Sequence, residues 1–394
     1  MGKKGESGMT LPDANRLTDQ FLAFTKIDSP SFHEGEMAAY VKQVFQDLGI
    51  VLHEDDANKY YGSQTGNLYG CWLGTLPGEP ILFMGHLDTV EPAYGRHAVL
   101  HEDGTITSAG NTVLGADDQS GLAEIVEAIR CIQESHTAHR TIEFLITFGE
   151  EAFDKGSRKF DFSLLKARQA YTLDLEAPVG TASLWEPTLI SFTVDIRGRS
   201  AHAGFNPEKG INALTASAEL IHSLPIGRVD PVTVLNIGMI SGGTAVNAVP
   251  DHVVMKGELR SRNHEKALSL LKKIQDNAAE SAEKIGAKAS VDYEIALHEY
   301  CIDEKEPVVK RYEAACEKAG IKPVLSGSFG GSDNNQFAQH GGRGIVIASA
   351  MYNCHTVHEY TRISDMVQVA RIVMNLMTME EDEKDEAAVT VSDQ

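Results

Sequence analysis

Four short stretches of this chain, at 81–84, 141–148, 170–173 and 344–350, are almost continuously apolar, and each is too short for an ordinary helix. A strand with one wet face alternates polar and apolar residues; a strand covered on both faces loses that alternation. These runs therefore predict strands of a sheet buried on both sides. Helical periodicity lies between and around them. Phe21 and Phe24, then Met37, Val41, Val44 and Leu48, recur at helical spacing around the break Ser29-Pro30-Ser31. Leu122, Ile125, Val126 and Ile129 share one helical face within 120–132. Strands alternating with helices predict an α/β fold, a three-layer α/β/α arrangement around a largely parallel sheet.

The middle of the chain follows a different rule. Strand-like patterns at 189–197, 232–240, 253–260 and 289–295 enclose helical ones at 209–224 and 264–285. That order, β-α-β-β-α-β, is the ferredoxin-like sandwich. A chain of 394 residues exceeds one ordinary core. The expected organisation is a discontinuous outer domain of 10–186 and 300–380, an inserted domain of 187–299, and an acidic tail at 381–394 expected to be disordered.

The formal charge of −21 argues against nucleic acid or an anionic membrane as partner, since both need a cationic face. No apolar run approaches a membrane span. The opening MGKKGESGM has no hydrophobic stretch, so no signal peptide is expected, and Glu6 stands where myristoylation wants Ser or Thr. The five cysteines are odd in number, widely spaced and without a CxxC pair, which fits reduced thiols in the cytoplasm.

Chemistry collects where the apolar runs end. His86, Asp117, Glu151, Asp174 and His355 sit in the phrases GHLDTV, GADDQSG, FGEEAF, YTLDLE and CHTVHEY. Two imidazoles and three carboxylates are the donor set of a pair of divalent metals sharing one carboxylate. Ligands of open α/β sheets gather beyond the carboxyl ends of the strands, where these residues fall. Each residue alone has a plainer reading. His86 and Asp88 could be a hydrogen-bonded pair at a sheet edge, and Asp117 or Asp118 a helix cap. Asp88 is otherwise the carboxylate that would orient a metal-bound His86. Glu150 and Glu151 follow a strand, and in extended backbone they would point to opposite sides. One could then hold metal while the other faces substrate as a general base.

These phrases, with GRSAHAGFNPEKGINAL, GGTAVNAVP and GGSDNNQF, occur in order from about 17 to 377. In combination they resemble the di-zinc metallopeptidases typified by peptidase T, a family that includes carboxypeptidase G, acetylornithine deacetylase and succinyl-diaminopimelate desuccinylase. The resemblance implies that His86 and Asp174 hold one metal, Glu151 and His355 the other, and Asp117 bridges them through a cis Asp117–Asp118 peptide. The family spacing H-x-x-x-E-Y selects His355 over His358. Asp88 would be the partner of His86, and Glu150 the general base acting on a water shared by two Zn²⁺ ions, with Co²⁺ or Mn²⁺ as alternatives.

The inserted domain would be a lid that also makes a homodimer. His202 would stabilise the oxyanion from the partner subunit, and Asn247 and Arg260 would hold substrate; a turn histidine and a surface ion pair are their plainer readings. Asp at 174 is the aminopeptidase-like choice in the family. The implied activity is therefore hydrolysis of short peptides, as an aminotripeptidase. The alternative on the same scaffold is an N-acyl amino-acid amidohydrolase or carboxypeptidase.

Overall fold

The computed structural model describes residues 10–380. The opening segment, expected to carry no leader or lipidation signal, and the acidic tail at 381–394, expected to be disordered, lie outside the described residues. The described chain divides into two compact units, one of residues 10–185, 301–328 and 332–380, the other of Glu186–Tyr300 and Phe329–Gly331. No helix among the described residues is long and apolar enough to cross a membrane, and no disulfide joins any of the five cysteines, all of which are described.

The first unit is built on an eight-stranded sheet. Its order is Leu52–Glu54, Leu68–Trp72, Ile142–Thr147, Ile81–His86, Gln169–Leu175, Arg343–Ala348, Thr181–Ser183, Val324–Ser326. The four central strands are the four apolar runs, and they pair in parallel. Every residue of Ile81–His86 and of Ile142–Thr147 is buried, which is why neither shows alternation. The sheet is mixed rather than largely parallel, because Leu68–Trp72 and Thr181–Ser183 join the centre antiparallel. These flanking strands are short and partly polar, so they leave no apolar run to read. Both edge strands have only three residues, which limits the unpaired backbone offered to another chain.

The two faces are covered differently. Leu82, Met84 and Leu145 pack with Phe160, Phe162 and Phe337, the last from the short helix Asp333–Gln339. Phe83 and Phe144 point the other way, where Phe144 meets Phe45 of the helix Gly35–Asp47 edge-on at 5.1 Å. The helix Ala116–Ser135 lies on this second face. Helices Ala14–Thr25 and Ile363–Thr378 pack against it in turn. The result is three layers.

The second unit is an antiparallel five-stranded sheet. Its order is Gly227–Asp230, Thr233–Gly242, His252–Ser261, Thr188–Arg197, Lys288–Leu297, with helices Ala213–Ser223 and His264–Glu283. Leaving aside the short edge strand, the chain order 4-1-3-2 is the ferredoxin-like arrangement. Ile190, Phe192, Val194 and Ile196 alternate into one core with Ala216, Leu220, Leu271 and Ile274 of the helices. One face is therefore dry, and the strands read with period two.

Candidate metal centre

Four of the five residues proposed from sequence as ligands lie at or beyond the carboxyl end of a central strand of the first unit, and the fifth, Asp117, opens a helix. His86 is the last residue of Ile81–His86. Glu151 lies just past Ile142–Thr147, and His355 follows Arg343–Ala348 in left-handed backbone at φ 62°. Asp174 belongs to its strand, as the penultimate residue of Gln169–Leu175, rather than following it. Asp117 stands in non-helical backbone at the start of Ala116–Ser135, and its peptide to Asp118 is cis.

Asp117 is the hub. Its Oδ1 lies 3.0 Å from His86 Nε2, and its Oδ2 lies 3.2 Å from His355 Nε2. Asp174 Oδ1 is 3.9 Å from the same nitrogen of His86, and Glu151 Oε2 is 3.1 Å from that of His355. Two sets thus share one carboxylate: His86, Asp117 and Asp174, and Asp117, Glu151 and His355, with donor atoms in each set within 4.8 Å of one another. The sets differ in exposure. The His86 side chain is 1% exposed and that of His355 56%.

The acid pair departs from expectation. Glu150 and Glu151 are in a turn, not extended, because the backbone leaves the strand at Gly149 with φ 60°. As a result both carboxylates come within reach of His86 instead of facing opposite sides. Asp88 also differs in detail. His86 Nδ1 bonds the Asp88 backbone carbonyl at 2.9 Å, while the nearer carboxylate oxygen is 3.5 Å away. That carboxylate instead accepts the backbone N–H groups of Glu150 (3.0 Å) and Glu151 (3.2 Å) and the Ser31 hydroxyl at 2.7 Å. Asp88 fixes the turn that carries the acids as well as the histidine beside it. Asp118 makes no helix cap. It accepts the His86 N–H at 3.3 Å from a slot between Gly85 and Gly121, where a Cβ on either glycine would come within 2.4 Å of its carboxylate.

Two further acids hold the scaffold, and neither was assigned a role from sequence. Glu359 Oε2 accepts from Leu114 N (2.7 Å) and Gly115 N (2.8 Å), and its Oε1 accepts from Asp117 N at 2.9 Å. Glu34 accepts from Phe32 N at 2.7 Å and from Gly149 N at 3.0 Å. The position of Glu359 in the CHTVHEY phrase was a signal for it. Glu34 sits in a stretch that reads as an ordinary helix start, and nothing in the sequence marks it.

Electrostatics explain why cations suit this place. Burial, with Asp174 close by, raises the proton affinity of Glu150 well above the ordinary carboxyl range. Burial and the Asp117 charge raise Asp174 well above that range as well, and they raise Glu151 too. Burial opposes ionisation of Asp117 too, but hydrogen bonds from His355 and His86 outweigh it and hold that carboxyl below its usual range. Burial works against charge on His86, yet Asp117 and Asp88 leave its imidazole well above the usual range. So many buried acids are stable as a group only with protons or cations among them. Glu151 Oε1 has no hydrogen-bond partner although it is buried, which is the situation of a ligand atom awaiting an ion. The donor set fits divalent metal.

His202, Asn247 and Arg260 belong to the second unit. His202 is exposed and stacks on Phe205 with ring centroids 4.3 Å apart. Its Nδ1 accepts the N–H groups of Gly204 (3.1 Å) and Phe205 (3.2 Å), so in the neutral ring the proton is on Nε2. The Asn247 carbonyl accepts from Ala203 N at 2.9 Å, which ties its loop to that of His202. Arg260 bonds both oxygens of Glu258 (3.0 and 3.2 Å) and the Phe329 carbonyl at 2.7 Å. The ion pair that was its plainer reading is therefore present.

Residues 186–286 match the family model "Peptidase dimerisation domain", and residues 67–184 match "Peptidase family M28". YqjE of Bacillus subtilis is 37% identical over 92% of this chain and 97% of its own. The structure of aminopeptidase PepT from Bacillus cereus is similar with a TM-score of 0.86 at 36% identity, covering 93% of this chain and 98% of that one. A tripeptidase from Staphylococcus aureus superposes with a TM-score of 0.91 at 32% identity over the same shares. Fold, site and relatives together define a metal-dependent peptidase. The chain belongs to the M20 family of peptidases, in its peptidase T-like branch.

Proposed function

We propose that this protein is a co-catalytic di-zinc aminotripeptidase that hydrolyses short peptides in the cytoplasm as a homodimer. The observation that carries the reading is the placement of Asp117, whose two oxygens face two different imidazoles, each beside a further carboxylate. Under this reading His86, Asp117 and Asp174 would hold one Zn²⁺, and Asp117, Glu151 and His355 would hold the other. Co²⁺ or Mn²⁺ could substitute in such O/N donor sets. When bound, the cations supply Lewis acidity, lowering the proton affinity of a water and polarising the scissile carbonyl.

The protein's own groups supply the proton traffic and the orientation. Glu150 takes a proton from the attacking water on its carboxylate and passes it to the leaving amine nitrogen. Its backbone is fixed for that task by Asp88, and the loop of Asp117 by Glu359. The second unit serves as lid and dimerisation domain. In it, His202 presents an Nε2–H suited to stabilising an oxyanion across the dimer, while Asn247 and Arg260 orient the peptide. The aminopeptidase and tripeptidase among the relatives, and the Asp at 174, support the choice of an unblocked short peptide.

An assay of liberated amine tests it, using free dipeptides, free tripeptides and N-acetylated tripeptides, with and without chelator. Free tripeptides should be cleaved fastest, with activity lost on chelation and restored by Zn²⁺. Cleavage of the blocked peptide alone would assign the amidohydrolase reading instead.

A further inference from the structure

Another set of metal donors converges within the second unit. His264 opens the helix His264–Glu283, and His298 and Glu299 directly follow the strand Lys288–Leu297. Their donor atoms lie within 4.8 Å of one another, and all three residues are half-buried. The two imidazoles are stacked at 4.6 Å with planes 29° apart.

The frame under these side chains is tied down. Glu299 Oε2 accepts from the Thr188 hydroxyl at 2.6 Å, and Glu299 Oε1 accepts from the His264 backbone N–H at 3.1 Å. Glu299 N in turn donates to Thr188 Oγ1 at 3.1 Å. His264 Nδ1 lies 3.0 Å from Thr188 Oγ1 and 3.7 Å from Glu299 Oε2. A polar latch joining the helix start to the strand end accounts for Thr188, Glu299 and His264. The facing ring of His298 brings the donor count to three.

We propose that His264, His298 and Glu299 bind one divalent transition-metal ion, represented by Zn²⁺, that ties the strand end to the helix start. Two imidazoles and one carboxylate are a recurrent zinc set with room for water in the fourth position. Ca²⁺ and Mg²⁺ are disfavoured, since they require oxygen ligands. Hydrogen bonds already orient the Glu299 carboxylate, as they do for carboxylates that ligate metals. The partial positive charge at the helix N-terminus opposes a cation at this place. The Glu299 charge offsets it, and the ion is held less tightly than a fully buried one.

The test is equilibrium dialysis of the full chain against buffered Zn²⁺, followed by elemental analysis. His298→Gln and His264→Asn should each bind one ion fewer per chain than the unmodified protein. Peptide hydrolysis should be unchanged, and the Zn²⁺-dependent rise in Tm should be smaller. The readout is a difference in count, so it holds whether the first unit binds two ions, one or none. Equal counts in the unmodified protein and in both variants would overturn the proposal. Should one variant unfold when metal-free, the other decides.

Discussion

The two sheets of this molecule handle polar residues in opposite ways. In the first unit the central strands are buried on both faces, so along their length there is almost no place for a charge. The charged and imidazole groups are displaced to the strand ends, where His86, Glu151, Asp174 and His355 gather around Asp117. The second unit has one dry face, and the other side of Thr188–Arg197 carries Ser191, Thr193 and Asp195, all half-buried. Its polar groups are spread over a surface instead of being focused at an edge. A doubly covered sheet concentrates electrostatics, whereas a half-covered sheet distributes them.

If that contrast is correct, single substitutions should act on different properties in the two units. The largest effect belongs to Asp117→Ala. It should abolish peptide hydrolysis and sharply reduce the metal retained after dialysis, as read by elemental analysis. Retention of the full metal content would break the comparison at its centre. Glu150→Gln should lower kcat by about 10²–10⁴-fold, the usual contribution of a positioned general base, while leaving metal content intact. Full activity in that variant would reject the assignment.

In the second unit the expected loss is of stability. Phe192 is buried in the core between sheet and helices, so Phe192→Ala should cost about 3–5 kcal/mol in denaturant unfolding. Metal bound by the first unit should not change.

The smallest effect concerns pH. Burial beside Asp88 raises the Glu34 carboxyl from 4.5 to about 7. The folded state then holds this proton more tightly than the unfolded chain does. Its stabilising contribution is complete below about 4.5 and is lost as pH rises through about 7. Glu34→Gln removes that titration, so relative to the unmodified protein its Tm should improve as pH rises across the interval. A Tm difference that does not vary with pH would show that Glu34 is not the group responsible.

Much of this was legible in the residues for physical reasons. Burial on both faces imprints continuous apolar runs, and those runs marked the four central strands. Burial on one face imprints alternation, which marked the second unit. What escaped was set by polar contacts that carry no periodicity. The flanking strands Leu52–Glu54 and Thr181–Ser183 are three residues long and cannot show a pattern. The turn at Gly149 brings Glu150 and Glu151 to the same neighbourhood, and local sequence alone suggested an extended pair. Asp88 is recognisable as a partner of His86, but its hold on the backbone of residues 150 and 151 depends on a turn 62 positions away. Glu34 is invisible for the same reason, being 115 positions from the Gly149 N–H it accepts.

The central claim is that one carboxylate stands between two cations. Anomalous diffraction at the zinc edge from Zn²⁺-loaded crystals measures this directly. The account predicts two peaks flanking the Asp117 carboxylate, one beside His86 and Asp174 and the other beside His355 and Glu151. A single peak there, or none, would contradict it.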